Sequence, residues 1–165
     1  MDLFLLRHGE AGNSLASSSM DSQRRLTSQG RVEVATVGDA LEALDLDFDV
    51  IASSPLSRAK ETAEIVAKAL KPKRSIELWD ELKPESSSPV LRRRLASLRR
   101  ESTVLIVGHE PGLTGFVAEL TGSRPGSIVL KKAGLMRVHV VSFSPGAKAE
   151  LRWLLSPKVL KRLAG

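Results

Sequence analysis

The 165 residues include no cysteine and no tyrosine, and aromatic side chains of any kind make up only 4% of the chain. Without cysteine there is neither a disulfide framework nor a thiolate metal site. Scarce aromatics leave little for bases to stack on, which argues against a nucleic-acid partner even though the formal net charge is +6. No apolar run approaches the length of a membrane span. The N-terminus carries an acid, Asp2, with no basic segment and no small-residue cleavage site, so it does not read as a signal peptide. Together these absences leave a cytoplasmic enzyme or binding module, without membrane or nucleic-acid partners, as the expectation.

Hydrophobic residues are 42% of the chain and charged residues 27%. That balance suits a globular protein, and the length suits a single domain over residues 1–165. Short apolar runs alternate with helical stretches, and no repeat or linker interrupts them. This pattern predicts an α/β fold, a three-layer sandwich with a mainly parallel sheet and an antiparallel edge hairpin. Strands are expected at Asp2–Leu6, Asp49–Ala52, Ser75–Trp79 and Thr103–His109. A hairpin is expected from Leu135–Phe143 and Glu150–Leu154, turned by SPGA. A serine-rich polar loop follows the first strand. Helices are expected from Thr27 or Ser28 to about Leu44, over Leu56–Leu70, from an N-cap at Ser88 through the arginine-rich stretch, over Pro111–Leu120, and after Ser156. The stretch LRRRLASLRR, Leu91–Arg100, holds five arginines. Leu91, Leu95 and Leu98 share one helical face there, so the arginines read as a solvated face or as a docking patch for an acidic partner.

Chemistry collects where strands stop. The first ends in Arg7-His8-Gly9, the second in Ser53-Ser54-Pro55-Leu56-Ser57-Arg58, the fourth in Gly108-His109-Glu110-Pro111-Gly112. Open α/β sheets bind ligands at the carboxyl ends of their strands. One rim therefore receives two histidines and two arginines, beside helix N-termini, which suits a dianion such as phosphate. Two imidazoles without clustered acids or thiols are a poor metal set, so no metal is expected. The third histidine, His139, lies mid-strand and reads as structural.

LLRHGEA, SSPLSRAKETA and VGHEPGL, in this order and spacing, resemble the motifs of the histidine phosphatase superfamily. The short length, DSQRRLTSQGR after the first motif and LRWLLSPK near the end are similar to its bacterial phosphohistidine phosphatases of the SixA type. The resemblance implies a phosphatase in signal transduction that needs no cofactor and acts on a phosphorylated protein such as a histidine phosphotransfer domain. It maps the nucleophile to His8, which would form a phosphohistidine intermediate that water hydrolyses. It maps the phosphoryl-binding arginines to Arg7 and Arg58, and an oxygen-binding imidazole to His109. Gly9 would let backbone approach the phosphate and keep the pocket open. Arg24 matches an arginine that lies near the phosphate in relatives, with Arg25 an equally basic neighbour.

A general acid is less clearly marked. Glu81 and Glu85, in WDELKPESSS, lie about where an acid is expected, but SixA-type relatives usually carry a glycine-rich turn there. Glu10 is also near the site. A phosphohistidine can leave as a neutral ring after protonation of its distal nitrogen, with an unperturbed pKa of about 6.5. An alkyl phosphate needs a placed acid. Alternatives that stay open are a small-molecule phosphomonoesterase and a phosphate-binding module without turnover.

Overall fold

The computed structural model describes residues 1–12, 21–70 and 75–165. The serine-rich loop expected after the first strand falls mostly outside the described residues. Six strands form one sheet: β1 (Asp2–Arg7), β2 (Val50–Ser53), β3 (Ile76–Leu78), β4 (Thr103–Gly108), β5 (Leu135–Ser142) and β6 (Lys148–Leu155). Their order is β3-β2-β4-β1-β5-β6. The first four are mutually parallel, and β5 and β6 run antiparallel at one edge. The helices are α1 (Ser28–Ala43), α2 (Ser57–Ala69), α3 (Ser88–Ala96), α4 (Gly112–Thr121) and α5 (Pro157–Leu163), with a 3-10 turn at Asp80–Leu82. No helix among the described residues is long and apolar enough to cross a membrane.

The continuous apolar runs of β1 and β4 suit strands covered on both faces. Phe4, Leu6, Leu105 and Val107 point into one core with α1, α2 and α5. Leu3, Leu5, Val104 and Ile106 point into the other with α3 and α4. This is the expected three-layer sandwich. On the first face Phe4 meets Phe48 edge-on with ring centroids 5.2 Å apart. Helix α1 starts where the sequence suggests, with the Thr27 hydroxyl accepting from the Gly30 N–H at 3.0 Å. Gly122, in the left-handed region at φ 69°, closes α4.

Two helical expectations need correction. Ser87, not Ser88, is the N-cap of α3; Pro89 therefore falls one position deeper in the first turn, where a missing N–H still costs nothing. Helix α3 also stops at Ala96, with Ser97 as its cap, so Leu98, Arg99 and Arg100 lie beyond it. Strand β4 must start at Thr103 against Asp2 and Val50's neighbours, and the intervening turn returns the chain to the sheet's opposite end. The five arginines therefore do not form one face. His139 behaves as read: it sits opposite Asp2 in the sheet, and its Nδ1 lies 2.9 Å from the Asp2 carboxylate.

Candidate active site

Parallel pairing of β1 with β4 sets Arg7 beside Gly108, and the next residues on both strands are histidines. The His8 N–H donates to the Gly108 carbonyl at 3.1 Å, and the Ser54 N–H at the end of β2 donates to the Val107 carbonyl at 3.0 Å. Three strand ends are thus stitched together at one level. The rings of His8 and His109 come within 5.0 Å, centroid to centroid. Both histidines are buried.

The tautomer of His8 follows from its partners. Nδ1 lies 2.7 Å from the Gly9 carbonyl, which can only accept, so Nδ1 carries the proton. Nε2 then holds a lone pair, and it receives the Arg58 Nε–H at 3.3 Å. Burial, followed by the charges of Arg58, Arg7 and Arg24, pushes the His8 pKa down to about 4 against the opposing Gly9 hydrogen bond. His8 is neutral at pH 7, with its free electron pair on Nε2. His109 is held down to about 3, by burial first and then by His8 and Arg58. Its Nε2 contacts the Ser54 hydroxyl at 2.9 Å, and its buried Nδ1 has no partner among the described residues.

Arg58 reaches the site from the first turn of α2 and is itself buried. Its Nη1 donates to the Asp21 carbonyl at 2.9 Å and lies 3.2 Å from the Asp21 carboxylate. The same carboxylate takes the Arg24 Nε at 2.9 Å, and Arg24 Nη1 donates to the Gly12 carbonyl at 2.7 Å. Asp21 therefore clamps two arginines beside His8. The Arg24 side chain is 13% exposed. Arg25 is 74% exposed and points instead at Glu61. Arg7 Nη1 donates to the Leu130 carbonyl at 2.9 Å, while its buried Nε has no partner among the described residues. Three cations and two neutral imidazoles converge, an arrangement suited to an oxyanion.

Gly9 is also constrained by packing. A Cβ built there would come within 2.6 Å of a Val34 methyl on α1, so its smallness serves helix packing. Gly30 is tighter still: a Cβ would meet the Glu10 carbonyl at 2.2 Å. The first turn of α1 thereby locks the backbone just after His8. The Gly9 N–H donates to the Thr62 hydroxyl at 3.1 Å, which ties the same segment to α2.

The carboxylates sort by position. Glu10 is paired with Lys132 at 2.6 Å, which holds its carboxyl below the usual range and keeps it ionised. Glu81 lines a cleft beside His109, together with Lys83, Ser86, Ser87, Ser88, Leu91, Gly112, Leu113 and Phe116. Glu85 is exposed and outside that lining. Sequence reasoning did not single out Asp21, Ser54, Thr62 or Glu110. Asp21 and Thr62 stand three or four residues from motif arginines, the spacing that sets helical neighbours side by side, and that was the available signal. Glu110 accepts hydrogen bonds from the Thr114 N–H and hydroxyl, and burial pushes its carboxyl up. Among the described residues, no group of three or more His, Asp or Glu could hold a metal ion.

The sequence model of the histidine phosphatase superfamily (branch 1) matches residues 3–84. An uncharacterised protein of Picosynechococcus is 34% identical over 97% of this chain and 99% of its own length. The phosphohistidine phosphatase SixA of Escherichia coli is 29% identical over 98% of this chain and 97% of its own. A solved structure of the protein histidine phosphatase SixA complexed with tungstate superposes with a TM-score of 0.85 at 30% identity, covering 98% of this chain and all of that one.

Proposed function

This chain belongs to the histidine phosphatase superfamily, and from that membership we propose that it is a phosphohistidine phosphatase acting on a phosphorylated protein, with a histidine phosphotransfer domain as the fitting substrate. One observation carries the reading most: the buried, neutral His8 ring, whose Nδ1–H is engaged by the Gly9 carbonyl and whose Nε2 electron pair faces Arg58.

In the proposed reaction the substrate phosphoryl enters among Arg7, Arg24, Arg58 and His109. The Arg58 Nε–H passes from His8 Nε2 to a phosphoryl oxygen, which frees the nucleophile. Nε2 attacks phosphorus in line, the P–N bond to the substrate imidazole breaks, and that imidazole leaves with a proton on its distal nitrogen. The arginines offset the charge carried by the equatorial oxygens. His109, beside a dianion, gains a partner that favours a donated N–H toward the oxygen. Water then attacks phosphorus on phosphorylated His8, the new P–N bond breaks, and inorganic phosphate leaves. The chain itself needs to supply no strong acid, and Glu10 cannot be one while Lys132 holds it ionised.

The test compares kcat/KM on a histidine-phosphorylated phosphotransfer domain, on sugar phosphates and on an aryl phosphate. The expected preference for phosphohistidine over sugar phosphate is at least on the order of a hundredfold, the low end of what a placed general acid supplies. Alkaline quenching should trap an acid-labile phosphate on the chain, absent in His8→Ala. Equal rates on sugar phosphates, abolished by Glu81→Gln or Glu85→Gln, would make this a phosphomonoesterase instead.

A further inference from the structure

The arginine run that looked like one face is divided by the fold. Arg99 lies 3.8 Å from Asp49, whose carboxylate also accepts the Thr103 N–H. That is where β2 and β4 begin, roughly 20 Å along the strands from the ends that carry Ser54 and His109. Arg94 bends over the Trp79 ring at 4.9 Å and pairs with Glu77 at 3.4 Å. Arg92, Arg93 and Arg100 remain, none with an ion pair among the described residues; Arg100 lies beyond the helix, lining a separate hollow with Met1 and Phe143, so Arg92 and Arg93 are the two that stand on α3.

Their placement on α3 connects them to the site. Leu91 and Leu95 define the buried side of the helix. Successive residues advance by about 100°, so Arg94 flanks the core on the side of β3 and Arg92 on the opposite side, with Arg93 pointing outward. Ser88 lies one turn before Arg92, on the same flank. Ser88 and Leu91 line the cleft that also contains His109 and the first turns of α4. The flank of α3 whose Ser88 lines the cleft thus carries Arg92 one turn further on, with Arg93 next to it on the outer side of the helix. Lys83 adds a further cation to the rim of the cleft, shared with Asp80 at 2.8 Å.

We infer that this cleft and the Arg92–Arg93 flank of α3 form one docking surface for an acidic protein segment that carries the phosphorylated histidine. The inference rests on the proposed phosphohistidine reading. A phosphoryl group seated at His8 must leave its parent chain by way of the open rim. Carboxylates flanking that histidine would then lie against Arg92 and Arg93. Fixing the approach through charge adds encounter rate and orientation, and it falls with ionic strength over a Debye length of about 10 Å at 0.1 M.

The test uses two synthetic peptides of equal length, each with one phosphohistidine. One carries glutamates on both sides and the other has glutamines at those positions. At low salt, kcat/KM for the glutamate peptide should exceed that for the glutamine peptide by about fivefold, the scale of two exposed ion pairs. The ratio should approach one at high salt. In Arg92→Glu/Arg93→Glu it should fall to one or below, whereas Arg99→Glu should preserve it. Because each variant is read as a ratio between peptides, a general loss of folding or turnover cancels. Equal hydrolysis of the two peptides by the unaltered protein overturns the docking surface while leaving the phosphohistidine reading standing. Hydrolysis of an aryl phosphate but of neither peptide overturns both. Binding of a labelled DNA duplex that is lost in Arg92→Glu/Arg93→Glu, with no discrimination between peptides, would assign the flank to nucleic acid and overturn the proposal.

Discussion

Acidification from pH 7 to pH 5 should destabilise the fold through its two site histidines. Each has a folded pKa below the unfolded value of about 6.5: His8 at about 4 and His109 at about 3. A depressed folded pKa means that the unfolded chain binds the proton first. The stability linked to each neutral ring is therefore fully present above the unfolded pKa and is lost as pH falls toward the folded one. Between pH 7 and pH 5 the linkage relation gives a loss of about 2 kcal/mol for each histidine, or about 4 kcal/mol for the pair. With a urea m-value of about 2 kcal/mol/M, the midpoint should drop by about 2 M. Trp79, fully buried, and Trp153, packed against Phe4, report unfolding by fluorescence. Urea titrations at both pH values, on the natural chain and on His8→Gln/His109→Gln, isolate the effect, since every other titrating group is common to both. The double variant should lose several-fold less stability over this interval. Equal losses in the two proteins would refute the reasoning, because the histidines would then be protonated in the native state or exposed to water.

Removing Arg58 as Arg58→Ala should lower kcat/KM by about 2–4 kcal/mol of transition-state stabilisation, while the exposed Arg25→Ala should change it little; steady-state kinetics on one phosphohistidine substrate compares them, and equal losses would show the loop was read wrongly. Asp21→Asn keeps the shape of the clamp but removes the charge that orients Arg24 and Arg58. It should weaken inhibition by inorganic phosphate measurably, and an unchanged inhibition constant would show that the two arginines hold their positions without it.

The parts of the fold legible in the sequence are those whose physics is local or periodic. The apolar runs at Leu3–Leu6 and Val104–Val107 marked strands of a mainly parallel sheet, and the strand-end motifs marked the rim where the structure brings His8, His109 and Arg58 together. What stayed hidden depends on three-dimensional partners. The role of Asp21 follows from the two guanidinium groups it meets, one of them on a helix more than thirty residues later. The crowding at Gly9 becomes visible only once Val34 is seen to sit against it. The arginine run misled because an amphipathic spacing over Leu91–Leu98 continued past a helix that ended at Ala96. Return of the chain to β4, a tertiary demand, overrode the local period there.

The central position of β1 has a consequence for the order of events in folding. Its neighbours in the sheet are β4 and β5, each on the order of a hundred residues further along the chain, so the central strand can only be paired after a large loop has closed. A nascent chain that has emerged as far as α3 holds His8, the proposed nucleophile, with Arg7, Arg24 and Arg58, yet lacks both ladders that would fix them. Until Thr103–Gly108 arrives, Leu3–Leu6 is an apolar strand with two open edges. Such a segment is a natural point of capture by a chaperone, or of mispairing with a second chain, during synthesis. Catalytic competence is consequently a late event. It depends on the sheet's last parallel strand, and a release of partly made chains would yield no active phosphatase.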